Sequence, residues 1–389
     1  MMPTGTTNLA QLGGRLWDVI VIGAGPAGSI AALELARLGK SVLLVEKAAF
    51  PRWKVCGGCL SAAATATLER LGLGNLTAAA APLDTFVLSC ERRHSRIRLH
   101  GNLAIARDVF DAALLEAAKA AGASSHCGVV ASVQNVELDR RWVQLATPDC
   151  RMRVAARIVV LATGLGGRHN DNEIGRRQTR VDSLIGAGAV LPSSAACLEP
   201  GTIQMALGAG GYVGMVQLAD GRINMAAAFS RTLLADVGCP AEAARRILQQ
   251  AGKSLPRELA EAAWLGTPAM SHRSRQVAAQ RLFAIGDLAG YEEPFTGEGM
   301  AWAMQSACAV LPLACRAIEN YDPSLPASWI ASHHRLLARR MMICGVLGRA
   351  LRYPQLIRAA TAMLSKAPWL ARPLVNSINR PCPVEPDSR

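Results

Sequence analysis

The first fifty residues change from a strand-like to a helix-like pattern of apolar positions and back again. A β-branched run at 18–22 predicts a buried strand, and apolar residues at helical spacing over 29–38 predict a helix. A second β-branched run at 41–45 predicts another strand. The glycine-rich segment 23–28 separates the first strand from the helix, so it is expected to form a tight turn. This order of elements is typical of the start of an α/β domain with a parallel sheet.

The pattern changes again further along the chain. Residues 105–122 predict a helix, and the apolar runs at 128–136 and 157–162 predict more strands of the α/β domain. Between 185 and 229, β-branched and small residues alternate with many glycines, which predicts an antiparallel sheet. A helical pattern follows over 241–263. The chain therefore combines an α/β domain built from separated pieces with an inserted sheet domain.

The turn after the first strand has the spacing of a dinucleotide-binding fingerprint. Gly23 permits the tight turn, Gly25 lets the backbone approach a pyrophosphate, and Gly28 lets helix and strand pack closely. Glu46 ends the second strand about 18 residues after Gly28, near the expected position of the acid that binds ribose hydroxyls. The turn, both strands and the acid together predict a dinucleotide site.

A second strand, loop and helix start lies near the three-quarter point of the chain. Apolar residues at 282–285 predict a strand, Gly286 and Asp287 follow it, and a glycine-bracketed loop opens into a helix near Met300. Backbone N–H groups at a helix start attract negative charge. We therefore expect Asp287 to accept a hydrogen bond from a sugar hydroxyl, and a ribityl chain beside a flavin ring meets both demands.

Composition limits the class of protein. The 389 residues are 51% hydrophobic and 18% charged, which predicts a globular chain of two intertwined domains and an appendage. No uninterrupted run of about 18 apolar residues predicts a membrane-spanning helix. Residues 1–14 lack the pattern of a secretory signal, so the expected location is cytoplasmic.

The net charge of +13 is concentrated in arginines between 335 and 380. Aromatic residues are only 4% of the chain and no nucleic-acid module is visible, so no nucleic-acid partner is expected. Basic amphipathic helices in this tail could rest on an anionic membrane surface. Alternatively, they pack on the body and expose a basic face, and both alternatives stay open.

Cysteine and histidine spacing gives two further expectations. The 11 cysteines do not form a disulfide framework, and only Cys56 and Cys59 are close in sequence. This pair is either a redox couple or part of a structural or substrate-facing loop, and the lack of a second dinucleotide fingerprint favours the loop. Histidine spacing suggests no metal site; the residues considered are His272, His333 and His334.

Taken together, these motifs resemble the geranylgeranyl reductase family of FAD-dependent oxidoreductases, which share the p-hydroxybenzoate hydroxylase fold. The residues that carry the resemblance are Gly23-Ala24-Gly25-Pro26-Ala27-Gly28, Glu46-Lys47, Phe50-Pro51-Arg52, Cys56-Gly57-Gly58, Arg107 with Asp111, Gly286-Asp287 and Thr296-Gly297-Glu298-Gly299. The resemblance covers roughly residues 18–307, and Cys59 departs from the family pattern.

The resemblance implies an α/β fold with three parts. They are a Rossmann-like FAD-binding domain (15–82, 100–180 and 265–320), an inserted antiparallel sheet domain for the substrate (83–99 and 181–264) and a C-terminal helical basic region (321–389).

It also implies a set of FAD-binding residues, with the helix start at 297–300 facing the flavin pyrimidine edge. They are Gly23, Gly25, Pro26, Ala27, Gly28, Glu46, Lys47, Arg107, Val130, Gly286, Asp287, Gly297, Gly299 and Met300. The candidate catalytic residues are Cys56, Tyr212 and Glu298. Tyr212 is alternatively a plain sheet position, and Glu298 is alternatively a helix cap.

The family's reaction implies hydride transfer from reduced FAD to a C=C bond of a hydrophobic, prenyl-type substrate. NADPH or another electron donor would bind transiently, because the chain has one dinucleotide fingerprint. The first alternative is an FAD-dependent monooxygenase that acts on an aromatic or secondary-metabolite substrate, since fold does not fix function. The second is a non-catalytic electron carrier at the membrane surface. A halogenase is less favoured because the chain lacks a Trp-x-Trp-x-Ile-Pro segment.

Overall fold

The structure is a computed structural model that describes residues 12–91, 93–167, 173–174, 178–193, 198–293, 295, 297–350 and 352–379. Three parts of the sequence predictions lie outside the described residues: the N-terminal segment 1–11, Thr296 of the loop motif, and the end of the basic tail at 380–389.

The strands are numbered in chain order. They are β1 (Leu16–Ile22), β2 (Val42–Glu46), β3 (Cys59–Leu60), β4 (Ala81–Cys90), β5 (Arg93–Ala104), β6 (Ser124–Cys127), β7 (Val130–Val136), β8 (Arg141–Ala146), β9 (Arg151–Leu161), β10 (Gln178–Thr179), β11 (Ile185–Leu191), β12 (Thr202–Gly208), β13 (Gly211–Gln217), β14 (Ile223–Phe229), β15 (Leu265–Ala269), β16 (His272–Arg273), β17 (Ala278–Ala279), β18 (Leu282–Ala284) and β19 (Gly290–Tyr291).

The helices follow the same numbering. They are α1 (Pro26–Arg37), α2 (Ala62–Arg70), α3 (Arg107–Ala120), α4 (Arg231–Val237), α5 (Pro240–Gln250), α6 (Gly299–Glu319), α7 (Leu325–Ala350), α8 (Pro354–Lys366) and α9 (Arg372–Asn379).

The first sheet is the predicted dinucleotide-type sheet. Strands β18, β9, β1, β2 and β6 run parallel in that spatial order, and β7 and β8 form an antiparallel extension on the first half of β9. Strand β2 is buried along its whole length, as expected for a parallel strand covered on both faces. Helix α1 packs against both α3 and α6. The predicted strand, turn, helix and strand at the N-terminus are confirmed.

The second sheet has the spatial order β15, β11, β14, β13, β12, β4, β5, β3. The predicted antiparallel pairing over 185–229 is confirmed for β11 to β14, but β12 and β4 pair in parallel. The chain leaves this sheet after β5, builds much of the first domain and then returns, so two strands distant in sequence lie side by side. One face of the sheet packs on α5 through a cluster that includes Ile247 and Phe229.

Two segments that the sequence placed in the dinucleotide domain add strands to this second sheet. Strand β15 pairs with β11, and the short β3 pairs with β5. The helix predicted over 241–263 is shorter than expected, because α5 ends at Gln250 and only a 3-10 turn, Arg257–Leu259, follows. Gly252 has φ +67° and Pro256 comes soon after it, so the helix cannot continue.

The C-terminal helices pack on the body of the protein. Helix α7 contacts α6, α8 contacts β4 and β5, and α9 contacts α2. Helix α6 is long and apolar enough to cross a membrane by length and composition, although the sequence showed no unbroken apolar run. Of its most apolar window, 67% is buried inside the protein, which is typical of a core helix.

Candidate active site

The turn between β1 and α1 requires glycine at two positions. Gly23 has φ +104°, and a side chain there would meet the Ala162 carbonyl oxygen at 2.5 Å. A Cβ atom at Gly28 would lie 1.8 Å from the Gly23 carbonyl oxygen. Both contacts are too short for any side chain, so these glycines fix the turn and the close packing of α1 on the sheet.

Gly25 differs from the other two glycines because the space beside it is open. A Cβ atom there would have only Arg52 Nη2 nearby, at 3.9 Å. Gly25 is the N-cap of α1, no side chain caps the helix start, and Pro26 occupies the first turn. Gly25, Pro26 and Ala27 line a large cavity. The arrangement leaves the positive end of a helix dipole facing open space, as a pyrophosphate site requires.

Glu46 lies beside this turn at the end of β2. Its side chain is buried, with Oε2 accepting from the Ala24 N–H at 2.9 Å and Oε1 from the Ala48 N–H at 3.0 Å. Two neighbouring predicted residues are on the surface. Lys47 is exposed, and Val130 on β7 is 57% exposed. Thus Glu46 is held against the glycine turn, where an adenosine ribose would meet it.

A buried ion network joins the start of α3 to the loop after β2. Arg107 Nε and Nη2 donate to Asp111 at 2.8 and 2.7 Å, and Arg52 Nη1 donates to the same carboxylate at 3.2 Å. Arg52 Nη2 also lies 3.6 Å from Glu46 Oε2. Burial lowers the pKa of Arg107, but Asp111 and the Cys56 side chain more than offset it, so the pKa is raised. Arg107 is a fixed cation in the cavity wall.

The second predicted half of the site contacts the first half directly. Gly286 has φ +63°, and a Cβ atom there would lie 3.0 Å from Ala27 Cβ in the first turn of α1. The Gly286 N–H donates to Ser306 Oγ of α6 at 2.8 Å. Asp287 follows in a 3-10 turn, is half-buried and lines the cavity. The two glycine loops therefore border one shared space.

The start of α6 and the Cys-Gly-Gly loop are also neighbours. Gly297 has φ +74°, and its Cβ position is 3.6 Å from Cys59 Cβ. Gly297, Gly299 and Met300 line the cavity, together with Cys56 and Cys59. The two motifs that the resemblance brings together in function are thus adjacent in space.

The two cysteines of this loop are free thiols. Burial, with a smaller contribution from Cys56, raises the pKa of Cys59 to about 12. The Cys56 carbonyl accepts from Asn224 Nδ2 at 2.8 Å, which ties the loop to the second sheet. A thiol with so high a pKa is protonated at neutral pH and is a poor nucleophile. The chemistry of Cys59 favours the structural or substrate-facing loop over a redox couple.

The other two catalytic candidates lie in different surroundings. Tyr212 is buried in the cavity wall, with its ring edge-on to Phe295 at 5.3 Å between centroids. Glu298 is also buried, but its Oε2 accepts from Cys344 Sγ of α7 at 3.5 Å. Glu298 occupies the N-cap position of α6, but its side chain makes no capping hydrogen bond there. The carboxylate faces α7 instead.

One cavity of about 780 Å³ connects these groups. The dinucleotide turn, Arg107 and Asp287 lie on its wall, and many apolar side chains of the second sheet and of the C-terminal helices also line it. The apolar part includes Phe86, Leu88 and Met205 from the sheet and Leu347, Ile357, Leu364 and Leu374 from the helices.

Two residues that line the cavity, Trp53 and Lys54, were not predicted as site residues from the sequence. Lys54 lies close to Gly164, since a Cβ atom at Gly164 would be 2.7 Å from Lys54 Nζ. Burial and the nearby Arg107 lower the pKa of Lys54, and Asp287 raises it by a smaller amount. Trp53 packs against Gly188, and its indole nitrogen is buried without a hydrogen-bond partner among the described residues. Their only sequence signal is their place in the loop between Arg52 and Cys56.

The residues of the site fit an FAD molecule: the helix start at Gly25 is open, backbone N–H groups hold Glu46 in place, and the loop at Asp287 faces the same cavity. The fold and the site define an FAD-dependent oxidoreductase. Residues 18–167 match the family described as FAD dependent oxidoreductase. The chain is 27% identical to menaquinone reductase of Mycolicibacterium smegmatis over 89% of each protein. It is 26% identical to digeranylgeranylglycerophospholipid reductase of Methanosarcina acetivorans, over 80% of this chain and 78% of the relative.

Solved structures agree on the fold. A geranylgeranyl bacteriochlorophyll reductase-like protein from Thermoplasma acidophilum superposes with a TM-score of 0.74 at 18% identity, over 94% of this chain and 99% of the other. The flavin-dependent brominase Bmp2 superposes with a TM-score of 0.76 at 17% identity, over 94% of both chains. These matches support the resemblance of the chain to the geranylgeranyl reductase family of FAD-dependent oxidoreductases.

Proposed function

We propose that this oxidoreductase reduces a C=C bond in a hydrophobic, prenyl-type substrate. The observation that carries the proposal is the continuity of the cavity. Gly25 and Asp287 of the dinucleotide site line it together with many apolar side chains from the second sheet and the C-terminal helices. Such a shape places an aliphatic chain beside the redox group and excludes water from the reaction.

Different lining residues of the cavity would bind the cofactor and the substrate. FAD, when bound, supplies the hydride. Gly25 and the start of α1 would hold its pyrophosphate, and Glu46 would bind the adenosine ribose. The start of α6 at Gly299 would place N–H groups near the flavin pyrimidine edge, where negative charge is stabilised by the helix dipole. The apolar walls bind and orient the alkene.

The names of the relatives support the substrate class. A menaquinone and a digeranylgeranylglycerophospholipid both carry polyprenyl chains, and both relatives are named as reductases. The similarity to a brominase concerns the fold alone, at 17% identity. Monooxygenation remains the second candidate, because one fold of this kind hosts several flavin reactions.

NADPH is proposed as the electron donor. Among the described residues, the dinucleotide turn at Gly23 to Gly28 is the one with this glycine spacing, and FAD would occupy it. A nicotinamide donor would therefore bind transiently, and a protein donor could replace it.

The test uses the FAD-loaded protein without oxygen. NADPH is expected to bleach the flavin absorbance, and a prenyl alkene is then expected to restore it with formation of a product two hydrogens heavier. Aromatic compounds and oxygen serve as comparison oxidants. Reoxidation only with oxygen, at one O₂ per hydroxylated product, would replace reduction by monooxygenation. Bleaching with no turnover of any compound would indicate an electron carrier.

We also propose that the C-terminal helices rest on an anionic membrane. Met342 and Val346 share a face of α7 and are 59% and 57% exposed, and Trp369 is 60% exposed. The exposed cations Arg349 and Arg372 lie on the same region of the chain. An apolar surface flanked by cations is typical of an interfacial helix. These helices also line the cavity, so a lipid substrate could enter from the bilayer.

The protein is expected to float with vesicles of anionic phosphatidylglycerol, and less so at high salt. Trp369→Ala is expected to weaken binding about tenfold, from the lost apolar burial. Leu138→Ala is the matched control, since Leu138 is 91% exposed on a distant loop of the first domain. Equal flotation with zwitterionic vesicles, or equal binding by both variants, would contradict the proposal.

A further inference from the structure

A buried carboxyl group lies directly behind the cavity wall. Glu293 follows β19, and the residue is 2% exposed. Its backbone N–H donates to Ser271 Oγ at 3.3 Å. Tyr212 packs edge-on against Phe295, whose backbone N–H donates to the Glu293 carbonyl at 3.0 Å. Tyr212 and Glu293 are close enough to shift each other's pKa. Neither carboxylate oxygen completes a hydrogen bond of full geometry with a described residue. A charged carboxyl group buried in such a place is costly, so the group is favoured in its protonated form or beside a cation.

Tyr212 links this carboxyl group to the cavity. Its ring forms part of the cavity wall, whereas Glu293 does not reach the cavity. The ring is held edge-on by Phe295 and is 7% exposed. Gly211 beside it cannot carry a side chain, because a Cβ atom would lie 2.0 Å from the Ala228 carbonyl oxygen. The tyrosine is therefore held in one position between an apolar space and a buried acid.

Arg352, in the link between α7 and α8, gives the acid a route toward solvent. Its Nη2 lies 3.8 Å from Glu293 Oε2, and its side chain is 24% exposed. Arg352 also pairs with Asp182, which Arg180 binds through two hydrogen bonds. The carboxyl group thus has Tyr212 on the cavity side and a partly exposed cation on the other.

The charges around the pair set its protonation. Burial raises the pKa of Glu293 to about 7; Arg352, Tyr212 and Arg180 lower it, and Glu292 raises it. Burial raises the pKa of Tyr212 well above its usual value, and Glu293, Tyr291 and Cys344 raise it further. At neutral pH the tyrosine is a neutral O–H donor, and the acid exchanges its proton readily.

We propose that Tyr212 donates the proton that completes alkene reduction and that Glu293 returns a proton to Tyr212. The inference rests on the proposed function. FAD, when bound, would supply the hydride for one C–H bond. The Tyr212 O–H bond would break as its proton forms the second C–H bond at the other alkene carbon. The Glu293 O–H bond then breaks to restore the tyrosine, and the carboxylate regains a proton from solvent past Arg352. Tyr212 is the catalytic residue, and Glu293 is a positioning and resupply residue.

This arrangement predicts a specific pH profile. The reaction needs the protonated acid, so the alkene-dependent rate is expected to be highest below pH 7 and to fall tenfold per pH unit well above it. Glu292→Gln removes the neighbouring charge that raises the pKa of Glu293, so it is expected to shift the midpoint to lower pH. Glu292 itself pairs with Arg180 at 3.0 Å, so this variant tests the charge beside Glu293 and leaves the Glu293 carboxyl group in place.

The variants are compared in the two half-reactions separately. Tyr212→Phe is expected to lower alkene-dependent reoxidation at least 100-fold, with little change in KM and unchanged flavin reduction by NADPH. Glu293→Gln is expected to lower it 10- to 100-fold and to flatten the pH profile, and Glu293→Asp is expected to restore part of the rate. Tyr353→Phe, at a 62% exposed tyrosine, is expected to behave as wild type.

An infrared titration supplies a measurement that does not depend on turnover. The full-length protein is expected to show a protonated carboxyl band that disappears near pH 7 and is missing in Glu293→Gln. A wild-type protein that reduces no alkene would overturn both the proposed function and this role. Full alkene reduction by Tyr212→Phe, an unchanged pH profile in Glu293→Gln, or no carboxyl band assigned to Glu293 would overturn this role alone.

Discussion

Gly25→Val is expected to abolish FAD binding while the chain stays folded. Gly25 has φ −78°, which any residue can adopt, and its Cβ position faces open space, so the apoprotein has no clash to relieve. The valine side chain would occupy the space that the pyrophosphate needs at the helix start. We expect FAD affinity to fall at least 100-fold, about 3 kcal/mol, measured by flavin fluorescence titration alongside urea unfolding.

Gly348→Ala is the matched control, because a Cβ atom there meets nothing within 4 Å on helix α7. It is expected to keep both FAD affinity and stability. Gly28→Val offers the opposite comparison: its Cβ atom overlaps the Gly23 carbonyl, so the fold itself should fail. If Gly25→Val bound FAD as tightly as wild type, the pyrophosphate would have to lie elsewhere.

Asp111→Asn is expected to cost about 3–5 kcal/mol of unfolding free energy. Asp111 is fully buried and accepts hydrogen bonds from both Arg107 and Arg52. The neutral amide would leave two guanidinium groups in the interior, and Arg52 would keep its ion pair with Glu46 at 3.6 Å. Urea unfolding at neutral pH measures the loss, and FAD affinity is expected to fall with it because Arg107 would lose its orientation.

Asp139→Asn serves as the control for this second prediction. Asp139 pairs with Arg140 on the surface, where water solvates both partners after the exchange. We expect no measurable change in stability. A similarly small effect of Asp111→Asn would mean that the network around Arg107 contributes orientation alone.

Site residues could be predicted from the sequence where the local backbone conformation requires a particular residue type. Gly23 and Gly28 are required by atoms only a few residues away or on the adjoining strand, so their spacing is a reliable pattern. Asp287 is another such case, because a strand, a glycine and a helix start define its position without knowledge of the rest of the fold.

Long-range pairing explains what the sequence could not predict. The parallel pairing of β12 with β4 joins segments separated by most of the first domain, and no periodicity encodes that distance. The packing of Tyr212 against Phe295, two residues after Glu293, has the same origin, because it joins a sheet strand to the loop before α6. The role given to Val130 stays a prediction, and its exposed side chain leaves only its backbone to serve an adenine.

The C-terminal helices supply part of the cavity wall through Leu347, Ile357 and Leu374, whereas the redox site lies on the two glycine loops. In the proposed function, the C-terminal helices would therefore contribute to substrate binding, and the two glycine loops would hold the cofactor. Insertions, deletions or substitutions after α6 can lengthen or shorten the space for an aliphatic chain without disturbing the flavin. If the proposed function holds, substrate range in such a protein could diverge through substitutions in its C-terminal helices while the cofactor site is kept.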